Sequence, residues 1–130
     1  MIKVNGVFIT QDKFGDGTLK ADLPIDLYMD GEVMIHWLYD NDGELFTLRC
    51  IVDTIREFDR RSKVSLTIPY VPNGRQDRYV GGHMFTLRSF CAMINEMGFD
   101  RVYVLDPHSD VTTALLNNIE IWPSAFEMLI

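Results

Sequence analysis

The sequence predicts an α/β fold, a mostly parallel sheet flanked by helices, with a short amino-terminal β hairpin or flap. Three observations carry this. Val64 to Tyr70 is a β-branched, apolar run of the kind buried on both faces of a parallel sheet, and Arg101 to Leu105 is a second. Between them Leu87, Phe90, Cys91, Ile94 and Met97 recur at helical spacing, closed by Gly98. The resulting order of strand, helix, strand, helix implies parallel strands joined by right-handed crossovers.

Taken in order, Ile2 to Thr10 alternates loosely through Ile2, Val4 and Phe8 and reads as one strand. Gly15-Asp16-Gly17 is a hairpin-type turn signal. Leu19 to Pro24 is short and ambiguous; Ile25 to Met29 and Glu32 to Tyr39 read as strands around an Asp30-Gly31 turn. From Glu44 to Phe58 the residues Leu45, Leu48, Val52 and Ile55 fall at helical spacing, with Asp42 as the cap. After Arg101 to Leu105, a short helix is expected over Asp110 to Leu116, stopped by Asn117-Asn118. Ile119 to Trp122 reads as a further strand and Pro123 to Ile130 as a last helical turn or two.

Composition bounds the function. The 130 residues suffice for one domain with a real core, and 47% hydrophobic with 24% charged is ordinary for a globular protein. A formal net charge of -7 argues against a general nucleic-acid binder, yet a few local arginines can still hold a small anion. Cys50 and Cys91 lie in apolar helical patterns and read as buried free thiols. The start MIKVNGVFI is too short for a signal peptide and is broken by Asn5 and Gly6, and no apolar run reaches the length of a membrane span. The expected compartment is cytoplasmic.

Two strand ends concentrate chemistry. The first runs Ile68-Pro69-Tyr70-Val71-Pro72-Asn73-Gly74 into Arg75, Gln76, Asp77 and Arg78. Two guanidinium forks suit phosphate oxygens, Gln76 can both donate and accept, and Asp77 can hold an arginine in place. The plain reading is a solvated loop with surface ion pairs. Its position after a buried strand favours a ligand, because α/β sheets bind at their carboxyl edge. The second end is Asp106-Pro107-His108-Ser109-Asp110. A carboxylate and an imidazole two residues apart can share a hard cation such as Mg²⁺, which keeps waters or phosphate oxygens as its other ligands. The plain reading there is a helix cap and a hydrogen-bonded turn histidine. His36, mid-strand beside Trp37, reads as a satisfied core histidine. No nucleophile elbow, P-loop or HExxH is present.

These residues together resemble a known family. PYVPNGRQDR, then MFTLRSFCAMINEMGFDRV, then VYVLDPHSDVTTALLNN resembles the amino-terminal half of ribose-phosphate pyrophosphokinases, which show a Pro-Tyr strand end, Arg-Gln-Asp-Arg, and Asp-x-His-Ser/Ala at this spacing. The likeness is strong from about Val64 to Asn118, weaker from Ile25 to Phe58 and poor before Leu23. It implies the phosphoribosyltransferase-like fold with two similar domains per chain, of which residues 1–130 would be one. It also implies transfer of pyrophosphate from ATP to ribose 5-phosphate with Mg²⁺, and a homo-oligomer. By the same resemblance Arg75 and Gln76 contact ATP, with Asp77 and Arg78 continuing the motif. His108 matches a Mg²⁺ ligand and Asp106 the acidic residue beside it. Asp30, Gly31 and Glu32 match a segment that reaches the ATP site of a neighbouring subunit.

The chain also departs from the pattern. The ribose 5-phosphate loop belongs to the family's second half, and nothing in this sequence resembles it. The family's Lys- and Arg-rich loop after RQDR is replaced by Tyr79 to Met84, where His83 is the sole candidate cation, and Asn117 stands where an acidic residue is common. The family's amino-terminal helix has no counterpart here. The chain therefore reads as the ATP- and Mg²⁺-holding side of a two-domain enzyme, as a truncated gene product, an expressed fragment or a compact variant. The alternative is a non-catalytic nucleotide-binding or oligomerisation module of the same fold.

Overall fold

The fold, taken from a computed structural model, is described for residues 1–24, 31–73, 81–106 and 110–122, with Asp106 and Asp110 described by backbone alone. The expected strand Ile25 to Met29 and the expected turn Pro123 to Ile130 lie outside these residues.

A six-stranded sheet runs in the order β2-β1-β5-β6-β7-β8. Its members are β1 (Ile2–Val4), β2 (Val7–Phe8), β5 (Glu32–Trp37), β6 (Lys63–Tyr70), β7 (Arg101–Asp106) and β8 (Ile119–Ile121). β1 is antiparallel to β2 and β5, whereas β5 through β8 are parallel. The expected mixed, mostly parallel sheet with a short amino-terminal hairpin is therefore present. A separate ribbon pairs β3 (Asp12–Lys13) with β4 (Leu19–Lys20) around the Gly15-Asp16-Gly17 turn.

Three helices join the parallel strands: α1 (Gly43–Phe58) from β5 to β6, α2 (Thr86–Glu96) from β6 to β7, and α3 (Asp110–Leu115) from β7 to β8. Each crossover steps the same way across the sheet. Right-handed crossovers that advance in one direction put every helix on one face. Among the described residues the core is consequently a single layer between the sheet and these helices. Val33, Ile35, Trp37, Val64, Leu66, Ile68, Val102 and Val104 point towards Leu48, Val52 and Ile55 of α1 and Leu87, Phe90 and Ile94 of α2, all buried. Full burial of each such side chain contributes about 1.5–3 kcal/mol.

Three local expectations need correction. Ile2 to Thr10 is not one strand: the chain folds back at Asn5-Gly6, whose φ values of 47° and 82° suit the tight hairpin turn that Asn-Gly prefers. Asp42 occupies the position before α1 but makes no side-chain cap; its carboxylate accepts from the Tyr39 hydroxyl instead. That bond, first among its causes, pushes the Tyr39 phenol up to about 12. The side chain that caps is Asn41, whose Oδ1 accepts from the Glu44 amide at 3.2 Å. Finally, β6 is buried on one face and only partly on the other, because Ser65, Thr67 and Pro69 alternate with Val64, Leu66 and Ile68. Of the two free thiols, Cys91 is buried, which raises it to about 11, whereas Cys50 is half-buried.

The end of α2 is held from α1. Arg56, in the last turn of α1, donates to the Met97 carbonyl and, at 2.7 Å, to the Gly98 carbonyl. Gly98 sits at φ 66°, and a β-carbon there would lie 3.3 Å from the Arg56 guanidinium. Gly98→Ala is thus expected to lose about 1–2 kcal/mol, from the left-handed backbone and the displaced arginine, read as a lower urea midpoint at unchanged slope.

Candidate functional site

The carboxyl edge of the parallel strands is where the sequence placed the site. β6 delivers its last residue, Tyr70, directly opposite Asp106, the last residue of β7. The two loops that carry the candidate residues therefore leave from adjacent strand ends. Val71, 3% exposed, anchors the first loop, and Asn73 turns it in the left-handed region at φ 65°. The loop returns through Gly81 and Gly82, both at positive φ, into α2. The second loop spans 107–109 and enters α3 at Asp110.

Arg75, Gln76, Asp77, Arg78 and His108 lie outside the described residues, as does the Asp106 side chain. The structure brings the origins of the two loops together; it does not describe the side chains that the site requires. Gly31 and Glu32 are described, and they lie elsewhere. Glu32 pairs with Lys63, the first residue of β6, so it marks the amino edge of the sheet. Seven strand residues separate that edge from Tyr70, about 23 Å at 3.3 Å per residue. Within one chain Gly31 and Glu32 do not join the Tyr70–Asp106 edge. Asp30 falls outside the described residues.

Two described groups stand at the carboxyl edge: Tyr70, which belongs to the strand end the sequence pointed to, and a second that the sequence did not single out. Tyr70 is 52% exposed beside Asp106 and presents an aromatic ring at the loop base. The other is Glu44, at the start of α1 below the end of β5. Its carboxylate, almost fully buried, accepts from the Met1 ammonium, from Gln11 at 3.1 Å, from Trp37 Nε1 at 3.3 Å and from the Asp40 amide at 2.8 Å. Burial pushes this acid up, but those donors together outweigh it and hold it down at about 2. A cleft of about 770 Å³ opens beside it, between the β3–β4 ribbon and Tyr39 to Asn41. Because the oxygens of Glu44 are engaged by these donors, it acts as a structural anion and not as a free ligand.

His36 also departs from expectation. It is half-buried on the sheet face opposite the helices, where burial and then the Lys3 charge lower its pKa. It is therefore a half-exposed side chain on that face, not a core histidine.

The same fold occurs in the crystal structure of phosphoribosylpyrophosphate synthetase from Mycobacterium smegmatis, at a TM-score of 0.68 and 17% identity. The fold is phosphoribosylpyrophosphate synthetase-like. The match covers 94% of this chain and 41% of that one, so the chain spans less than half the length of that synthetase. No protein-family model matches the chain, and no curated protein matches it in sequence.

A Mg²⁺ ion fits the donor chemistry of the second loop only as a shared ion. One carboxylate and one imidazole, Asp106 and His108, leave most of an octahedral shell to phosphate oxygens and water. Among the described residues no group of three or more His, Cys, Asp or Glu side chains is placed to hold a metal. Likewise no helix among them is long and apolar enough to cross a membrane.

Proposed function

We propose that this chain is the ATP-holding side of a ribose-phosphate diphosphokinase. The observation that carries the reading is the adjacency of Tyr70 and Asp106 in a fold shared with a phosphoribosylpyrophosphate synthetase. The RQDR and DPHS segments, which follow those two neighbouring strand ends, meet in this reading at the edge where α/β sheets take ligands. In this reading Arg75 and Arg78 neutralise and orient the phosphates of ATP, Gln76 hydrogen-bonds the nucleotide, and Asp77 fixes an arginine. Asp106 and His108 hold Mg²⁺, which offsets phosphate charge. Phosphoryl-type transfer needs positioning and charge neutralisation and no protein nucleophile, which matches the residues on offer. Asp30, Gly31 and Glu32 serve the site of a second copy, consistent with the place of Glu32 at the far edge of its own sheet. Ribose 5-phosphate needs a further half that this sequence does not resemble, so turnover depends on its being supplied.

A second reading is a nucleotide-binding or oligomerisation module of the same fold without turnover. One experiment addresses both. ATP with Mg²⁺ is expected to raise the melting temperature, since ligand at a hundred times its Kd adds about 2.7 kcal/mol. Arg75→Ala is expected to abolish the rise, and chelation of Mg²⁺ to reduce it. AMP formation from ATP and ribose 5-phosphate, with a second-half domain added, distinguishes the enzyme from the module. Equal ATP stabilisation of wild type and Arg75→Ala would sink the enzyme reading and the nucleotide-binding one.

A further inference from the structure

Two rings stand near the carboxyl end of β5, and both are engaged. Trp37 packs against Phe90 and Tyr39 and donates to Glu44, and the Tyr39 hydroxyl donates to Asp42. Across the sheet Tyr103 of β7 packs edge to face on Trp122. Tyr70, which ends β6, belongs to none of the ring pairs among the described residues, and it is 52% exposed. A single exposed aromatic is common on a protein surface. The backbone that carries this one is not typical surface. Val64, Leu66 and Ile68 alternate on the helix-facing side of β6 at 1% exposure or less, and Val71, just past the strand, is also buried. Tyr70 is the next residue of that alternation, so its ring leaves the sheet where the row emerges from under the helices. The fixed φ of Pro69 and the pairing of Tyr70 with Asp106 hold the backbone in place. The ring is thus mounted on a rigid strand end, and a tyrosine has only two side-chain torsions to freeze when something packs on it.

We infer that Tyr70 is the platform on which the base of the nucleotide stacks, and that it selects a nucleoside triphosphate over bare polyphosphate. The inference rests on the nucleotide reading above and adds to it the group that recognises the uncharged end of the ligand. In that reading arginines and a metal ion hold the phosphates, and they would hold inorganic tripolyphosphate as well as ATP. Discrimination between the two needs a flat apolar surface for the base. The segments assigned to the phosphates begin directly after Tyr70 and Asp106, on strands about 4.8 Å apart. A ring at the foot of the first segment is therefore within one nucleotide's reach of both. Stacking of a base on an aromatic ring is worth roughly ten- to a hundredfold in affinity, and a ring in the open strand end supplies the lower part of that range.

Isothermal titration calorimetry of the full chain with Mg²⁺ and either ATP or inorganic tripolyphosphate tests it, with urea melts to confirm the fold of each variant. Tyr70→Leu keeps an apolar side chain and removes the ring. It is expected to weaken ATP about tenfold and to leave tripolyphosphate within about twofold of the wild type. Tyr70→Phe restores the ring without the hydroxyl and is expected to bring ATP back to within about twofold. A wild type that does not bind ATP removes the nucleotide reading, and this inference with it. Where the wild type binds ATP, three results overturn the stacking role and leave that reading standing. They are ATP binding indifferent to Tyr70→Leu, ATP and tripolyphosphate weakened alike, and Tyr70→Phe as weak as Tyr70→Leu, which would assign the effect to the hydroxyl.

Discussion

Glu44→Gln is expected to cost the fold about 3 kcal/mol at neutral pH and to remove this carboxylate's share of the stability lost between about pH 4.5 and about pH 2. The carboxylate is 3% exposed, and it survives burial only because the Met1 ammonium, Gln11, Trp37 and the Asp40 amide all donate to it. Its pKa falls from an ordinary 4.5 to about 2. At 1.36 kcal/mol per unit, that drop corresponds to about 3 kcal/mol of stabilisation. The sign follows from linkage. A group whose folded pKa is depressed stabilises the fold fully above its unfolded value, and the contribution disappears as pH falls from about 4.5 through about 2. Urea melts of wild type and Glu44→Gln should differ most at pH 6–7 and converge towards pH 2. A constant gap across that range would mean that shape, not charge, is what Glu44 supplies.

The fold's parallel half was legible because its signals are long and local. Val64 to Tyr70 and Arg101 to Leu105 are runs that little except a strand accommodates, and Leu87 to Met97 keeps helical spacing up to Gly98, found at φ 66°. The amino-terminal part was read less well because its elements are two or three residues long. The Asn5-Gly6 turn was a usable signal, but the alternation of Ile2, Val4 and Phe8 on either side of it imitates one strand. The half-open face was hidden by the same rule that found β6. A β-branched run suggests burial on both sides, and only the alternation of Ser65, Thr67 and Pro69 with aliphatics tells against it. Glu44 was illegible in principle. A glutamate in the first turn of a helix is ordinary dipole chemistry, and its donors come from Met1, Gln11 and Trp37, which no spacing rule links to it. Of the candidate site, the strand ends at Tyr70 and Asp106 were foreseen as neighbours, while Gly31 and Glu32, matched by resemblance to a segment that serves a neighbouring subunit, lie at the other edge of their own sheet.

Trp37→Ala is expected to be the most damaging single substitution, at about 4 kcal/mol. Trp37 is 0% exposed, packs against Phe90 with centroids 5.9 Å apart and against Tyr39 at 5.7 Å, and donates its indole N–H to Glu44. Its removal opens a cavity where the end of β5 meets α1 and α2, and large aromatics truncated in cores cost about 3–5 kcal/mol. Trp37→Phe keeps most of the apolar volume and removes the indole donor, so it should cost about 1–2 kcal/mol. Because indole and carboxylate share a bond, the losses from Trp37→Phe and Glu44→Gln should not add; a double-mutant cycle should return a coupling of at least about 0.5 kcal/mol. Additive losses would show that the 3.3 Å contact between them contributes nothing. The coupling bears on function as well as stability. Trp37, Glu44 and the Asp40 amide tie the end of β5 to the start of α1 on the same edge as Tyr70 and Asp106. If that tie keeps the edge in register, Trp37→Phe should weaken stabilisation by ATP and Mg²⁺ although residue 37 faces the helices and not the ligand edge. If ATP stabilises Trp37→Phe as much as the wild type, the edge is held by the sheet hydrogen bonds alone.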